Sequence, residues 1–89
     1  MDVNSVKEKI NRHINQLNAI EWLRNLIGIP SPDPPGDTRA IADFIARALR
    51  EEGIQADLFS SDRTHVSVVG RLKGKGGGKS ILFLGHLDT

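Results

Sequence analysis

Eighty-nine residues make at most one small domain, which buries only about 60–65% of its unfolded surface. Hydrophobic residues at 38% and charged residues at 26% argue against disorder. A net charge of +1 excludes the charge signature of a nucleic-acid or anionic-membrane partner, and the absence of cysteine excludes a disulfide framework and a thiolate metal site.

Met1-Asp2-Val3-Asn4-Ser5 carries neither the basic nor the apolar region of a secretory signal, and no apolar run approaches the roughly 20 residues of a membrane span. The expectation is a cytoplasmic protein without a membrane partner. The first 27 residues are predicted as two consecutive helices. Val3, Val6, Ile10, Ile14 and Leu17 share one face, with His13 at its edge; Trp22, Leu23, Leu26 and Ile27 lie on roughly the opposite side. Capping boxes at Ser5-x-x-Glu8 and Asn18-x-x-Glu21 place the break near Asn15 to Asn18, and each helix is expected to bury its own stripe.

All four prolines fall in Ile29-Pro30-Ser31-Pro32-Asp33-Pro34-Pro35-Gly36-Asp37-Thr38, predicted as a stiff extended loop because each proline turns its predecessor away from helix. Asp37 or Thr38 can cap the next helix, about Arg39 to Glu52, whose apolar stripe is Ile41, Phe44, Ile45, Ala48 and Leu49. Arg39/Asp43 and Arg47/Glu51 stand four apart on the solvent side, and Gly53 is placed to end the helix. Beyond it, Gln55 to Ser60 and His65 to Leu72 read as strands. Lys73 to Lys79 reads as a glycine-rich turn, and Ser80 to Leu84 as a third strand, apolar on both faces as inside a covered sheet. This order of elements suggests α/β architecture.

The tract Gly74-Lys75-Gly76-Gly77-Gly78-Lys79-Ser80 is no phosphate loop: Lys73 stands where the first glycine belongs, and a strand follows where a helix is needed. Arg71, Lys73, Lys75 and Lys79 lack interleaved aromatics for base stacking and read as solvated charges. His13 and His65 receive no role, although Asp62 stands three residues before His65; Trp22 reads as core.

The informative segment is Leu82-Phe83-Leu84-Gly85-His86-Leu87-Asp88-Thr89. Open α/β sheets bind ligands outside the carboxyl ends of their strands, and this apolar run delivers two titratable residues there. In extended backbone residues two apart point the same way, so His86 and Asp88 share a side while Leu87 turns back. A neutral imidazole is the commonest metal ligand and needs a partner on its other nitrogen, which Asp88 can supply. Gly85 would allow a close approach.

With Ile29-Pro30-Ser31-Pro32, Pro34-Pro35-Gly36-Asp37-Thr38 and the helix closing on Glu52-Gly53, this segment resembles the N-terminal part of a family of zinc hydrolases. That family comprises acetylornithine deacetylase, succinyl-diaminopimelate desuccinylase and glutamate carboxypeptidase. The likeness spans about residues 19 to 89 and leaves the helix of residues 1–17 outside. It implies a zinc-exopeptidase-like α/β/α catalytic domain, of which residues 1–89 are the N-terminal portion. It further implies His86 as the first zinc ligand and Asp88 as the acidic catalytic residue that holds it. The cofactor would be a pair of zinc ions, with other divalent metals such as cobalt able to substitute. The substrates would be N-acyl amino acids or small peptides. Homodimers form in many members through a lid domain. The general base and remaining ligands lie downstream of the His-x-Asp motif in that family, so the chain is expected to be the front of a larger enzyme and inactive by itself. An asparagine usual near the start of the second strand is replaced here by Thr64, His65 and Ser67. The competing expectation is a non-catalytic binding or structural module with no metal site, in which His86 and Asp88 are a surface turn.

Overall fold

The computed structural model describes residues 2–89. Helix α1 (Val3–His13) begins at Asp2, whose carboxylate accepts from the Asn4 N–H at 3.2 Å. Helix α2 (Gln16–Ile27) begins at Asn15, whose side-chain oxygen accepts from the N–H groups of Leu17 and Asn18. Both helices therefore start three residues ahead of their capping boxes at Ser5 and Asn18. An acceptor one turn earlier adds a turn of backbone hydrogen bonds. Extended backbone at Ile14 and Asn15 separates them.

Neither helix buries a residue; Val3, Ile10, Ile14 and Leu17 remain exposed, as do Leu23 and Ile27. This corrects the expected burial of both stripes: among the described residues, no element packs closely along either helix. Trp22 is 44% exposed rather than core and meets Phe44 edge-on, with ring centroids 6.0 Å apart.

Helix α3 (Arg39–Glu51) is the packed helix. Its buried centre is Ile41, Ala42 and Ala46; Phe44, Ile45, Ala48 and Leu49 of the predicted stripe are half-covered. A two-stranded sheet underneath is too narrow to cover a whole apolar stripe. The end of α3 is a Schellman motif: Gly53, at φ 77°, donates to the Arg50 carbonyl at 3.0 Å, and Ile54 donates to that of Leu49 at 2.9 Å. The surface charges pair one step away from expectation, Arg39 with Asp37 at 2.7 Å and Arg47 with Asp43 at 3.0 Å. Asp37 lies ahead of the helix and also accepts from the Arg39 N–H, capping it while holding its guanidinium.

Strands β1 (Gln55–Ser60) and β2 (Val66–Arg71) pair antiparallel, from Gln55 opposite Arg71 to Ser60 opposite Val66. Ala56 and Gly70 face each other under α3; a Cβ on Gly70 would stand 3.0 Å from Leu49 Cδ1. The architecture of the described residues is thus mixed α and β, three helices and a two-stranded antiparallel sheet. No helix among the described residues is long and apolar enough to cross a membrane.

Two expectations are corrected. Ser80 to Leu84 is not a strand; Ile81, Leu82, Phe83 and Leu84 are 79–93% exposed. An extended run becomes a strand by exchanging backbone hydrogen bonds, and among the described residues no neighbour offers them. The proline loop is not extended throughout. It folds into a turn closed by the Gly36 N–H on the Pro32 carbonyl at 2.8 Å, with cis bonds at Asp33–Pro34 and Pro34–Pro35.

Candidate functional site

The segment that carries His86 and Asp88 is held by the proline loop. The Thr89 N–H donates to the Ser31 carbonyl at 2.8 Å, and the Asp33 N–H donates to the Thr89 carbonyl at 3.0 Å. The Ser31 hydroxyl donates to the Leu87 carbonyl at 2.7 Å. Ser31 is fully buried, and Leu87 is half-buried.

His86 and Asp88 lie on the same side of the backbone, as the extended geometry predicts. The imidazole Nδ1 stands 2.8 Å from the Asp88 carbonyl oxygen and 3.2 Å from its carboxylate oxygen Oδ1. Both oxygens are acceptors, so Nδ1 carries the proton and donates. Nε2 then keeps its lone pair, and it bonds to no described residue. The ring is 83% exposed and is not packed among aliphatics. A Cβ on Gly85 would meet no atom within 4 Å, so close approach by the described residues does not account for that glycine.

The pair borders an open depression of about 540 Å³ between residues 66–69 of β2 and residues 84–88, with Asp33, Thr38 and His65 along its rim. Two groups of this rim depart from the sequence reading: Thr38, expected as a possible cap of α3, and His65, which received no role. The Thr38 hydroxyl donates to the Val66 carbonyl at 2.7 Å and accepts from the Val66 N–H at 2.8 Å, while the Thr38 N–H donates to the Thr64 carbonyl. The loop is thereby fastened to the start of β2. Thr38 precedes α3 but makes no side-chain cap, since its hydroxyl is spent on the strand.

His65 is the second. Its Nδ1 lies 2.8 and 2.9 Å from the two carboxylate oxygens of Asp62, which also accepts from the N–H groups of Thr64 and His65. Those backbone bonds, then the imidazole, hold the Asp62 carboxyl well below the usual carboxylate range. The Asp62 carboxylate in turn raises the pKa of His65. Nε2 of this ring faces the proline loop, 3.4 Å from where a Cβ on Gly36 would stand; Gly36 at φ 72° occupies the left-handed region. The Asp-x-x-His spacing was the available signal, but it needed the turn between the strands to close.

Among the described residues, no cluster of three or more His, Asp or Glu could hold a metal ion between them. His86 fits a metal site as one ligand, with its tautomer fixed and its second nitrogen open. No protein-family model matches the chain. No solved structure matches it either.

Proposed function

We propose that this chain carries the first metal-ligating segment of a zinc-dependent amidohydrolase that cleaves N-acyl amino acids or small peptides. The carrying observation is the hydrogen bonding of His86, which borders an open depression: Nδ1 is committed to Asp88, and Nε2 bonds to no described residue. That is the arrangement metal-bound histidines use, with an oxygen partner fixing ring and tautomer. In this reading His86 is a metal ligand and Asp88 orients it. Bound zinc, as a pair or with cobalt in its place, would supply a water of lowered pKa and polarise the scissile carbonyl.

A catalytic zinc requires three protein ligands. The reading therefore assigns the other ligands, the general base and any lid or dimer contact to groups outside these 89 residues. It likewise takes the helices and hairpin seen here as one side of a larger α/β/α layered domain. Exposed Ile81 to Leu84 supports this reading, since the run has strand composition and, among the described residues, no neighbour to pair with.

Two measurements test it. The native protein from its source cell, assayed on a panel of N-acetyl amino acids, should release free amino acid in a reaction that a chelator stops and zinc or cobalt restores. Hydrolysis that ignores the chelator, or none across the panel, overturns the reading. Zinc titrated into the 89-residue chain should perturb the His86 ring before His13 or His65, weakly, and without hydrolysis. The competing reading, a binding module without a metal, is favoured instead if zinc leaves His86 untouched.

A further inference from the structure

We infer that Ser31 is a positioning residue that sets the tautomer of His86 from the proline loop, 55 residues earlier in sequence. Its hydroxyl holds the Leu87 carbonyl, which belongs to the peptide group before Asp88. Its own carbonyl holds the Thr89 N–H, which belongs to the peptide group after Asp88. One buried residue thus pins both peptide planes that flank Asp88. With those planes fixed, the Asp88 backbone carbonyl has one orientation and points at His86 Nδ1, 2.8 Å away; the carboxylate adds a second acceptor at 3.2 Å. An exposed ring on an unpaired segment would otherwise exchange between its two neutral forms. Among the described residues, the fixed points near it are the contacts of Ser31 and the Asp33 N–H with residues 87–89.

The position of Ser31 supports the assignment. It is fully buried in a molecule where few side chains are, and a buried hydroxyl left without its acceptor is costly. Alanine would fill much the same space; the hydroxyl is explained by the Leu87 carbonyl. The inference deepens the reading of His86 as a metal ligand, since only the Nδ1–H form leaves Nε2 able to bind a cation. Its physical content stands without any metal.

The test uses the 89-residue chain at a single pH of about 8, where an ordinary histidine is neutral. Long-range proton–nitrogen NMR correlations of the His86 ring report the ratio of its two tautomers. The unsubstituted chain should be mainly Nδ1–H. Ser31→Ala should lower the ratio of Nδ1–H to Nε2–H about fivefold, the change that one hydrogen bond of ordinary net strength supports. Ser31→Cys keeps a side chain of the same connectivity, slightly larger, with a much weaker donor and should show the same fall. Ser31→Thr returns the hydroxyl and should restore the ratio. Amide exchange at Val66 monitors the α3–sheet unit and should stay unchanged in all three. An unaltered tautomer ratio in folded Ser31→Ala or Ser31→Cys overturns the inference, and so does a Ser31→Thr protein that behaves like Ser31→Ala. Adding zinc separates the two readings. If zinc ignores His86 in the unsubstituted chain while the tautomer still follows residue 31, the metal assignment fails and the positioning role survives. If zinc binds His86 while the tautomer ignores residue 31, the positioning role fails alone.

Discussion

The hydroxyl of Thr38 serves the donor and the acceptor of one strand residue, Val66, and both bonds are short, at 2.8 and 2.7 Å. Thr38→Ala leaves those two backbone groups without a partner in a half-covered position. Urea denaturation should therefore show a loss of about 1–3 kcal/mol. Thr38→Ser keeps the hydroxyl and should retain most of the stability; equal losses in the two variants would assign the effect to packing. The neighbouring Asp62–His65 pair makes a pH prediction. The Asp62 pKa is depressed by the His65 and Thr64 N–H groups and then the imidazole, so its contribution is full above about pH 3.9 and fades as pH falls through the lower folded value. The His65 pKa is raised by the Asp62 carboxylate, so its contribution is full below about pH 6.5 and fades as pH rises through the higher folded value. The turn is held best between about pH 4 and 6.5. Both groups are exposed, which keeps the effect small and sensitive to salt. In an NMR titration the His65 midpoint should lie above 6.5 and fall back toward it in Asp62→Asn. Identical midpoints would show that the contact is absent in solution.

The elements that the sequence made legible are those whose causes are local. Periodicity places α3 to within a residue, and Gly53 ends it as a left-handed glycine should. Gly53→Ala is expected to cost about 1 kcal/mol by forcing a Cβ into that region, even though no atom within 4 Å obstructs it. A thermal unfolding curve would show this as a lower midpoint, and an unchanged midpoint would mean that the helix end rearranges. The strands β1 and β2 were equally readable, because a change of period marks them; their pairing as a hairpin was not among the expectations. Ser80 to Leu84 was not, since its apolar composition states only that it suits a strand, and pairing depends on a neighbour that composition does not name. The site divides in the same way. His86 and Asp88 meet because they are two residues apart in extended backbone, which is local. The Ser31 bond to Leu87 and the Thr38 bonds to Val66 join distant loops, and no periodic pattern encodes them. The helix starts were misplaced by one turn for a similar reason: Asp2 and Asn15 compete with Ser5 and Asn18 for the cap, and propensity alone ranks them closely.

At the scale of the molecule, the Cα radius of gyration is 15.6 Å, where a compact domain of this length has about 12 Å. Among the described residues, the buried apolar ones are Ile41, Ala42, Ala46 and Ala56, three of them alanines with little surface to remove from water. Against this small core stand Leu82, Phe83 and Leu84, each more than four-fifths exposed, and a β2 edge that has no strand partner among the described residues. An unpaired edge and an unpaired apolar run of strand composition are complementary, and they occur in every copy of the chain. The 89-residue chain should therefore self-associate with rising concentration, through backbone pairing as well as apolar contact. Sedimentation velocity over a hundredfold concentration range should show a shift from monomer to larger species. Leu82→Glu combined with Leu84→Glu should hold the chain monomeric, because like charges on neighbouring copies oppose pairing. Neither substitution touches α3 or the hairpin, so far-ultraviolet circular dichroism should be unchanged. An unsubstituted chain that stays monomeric over the whole concentration range would contradict this.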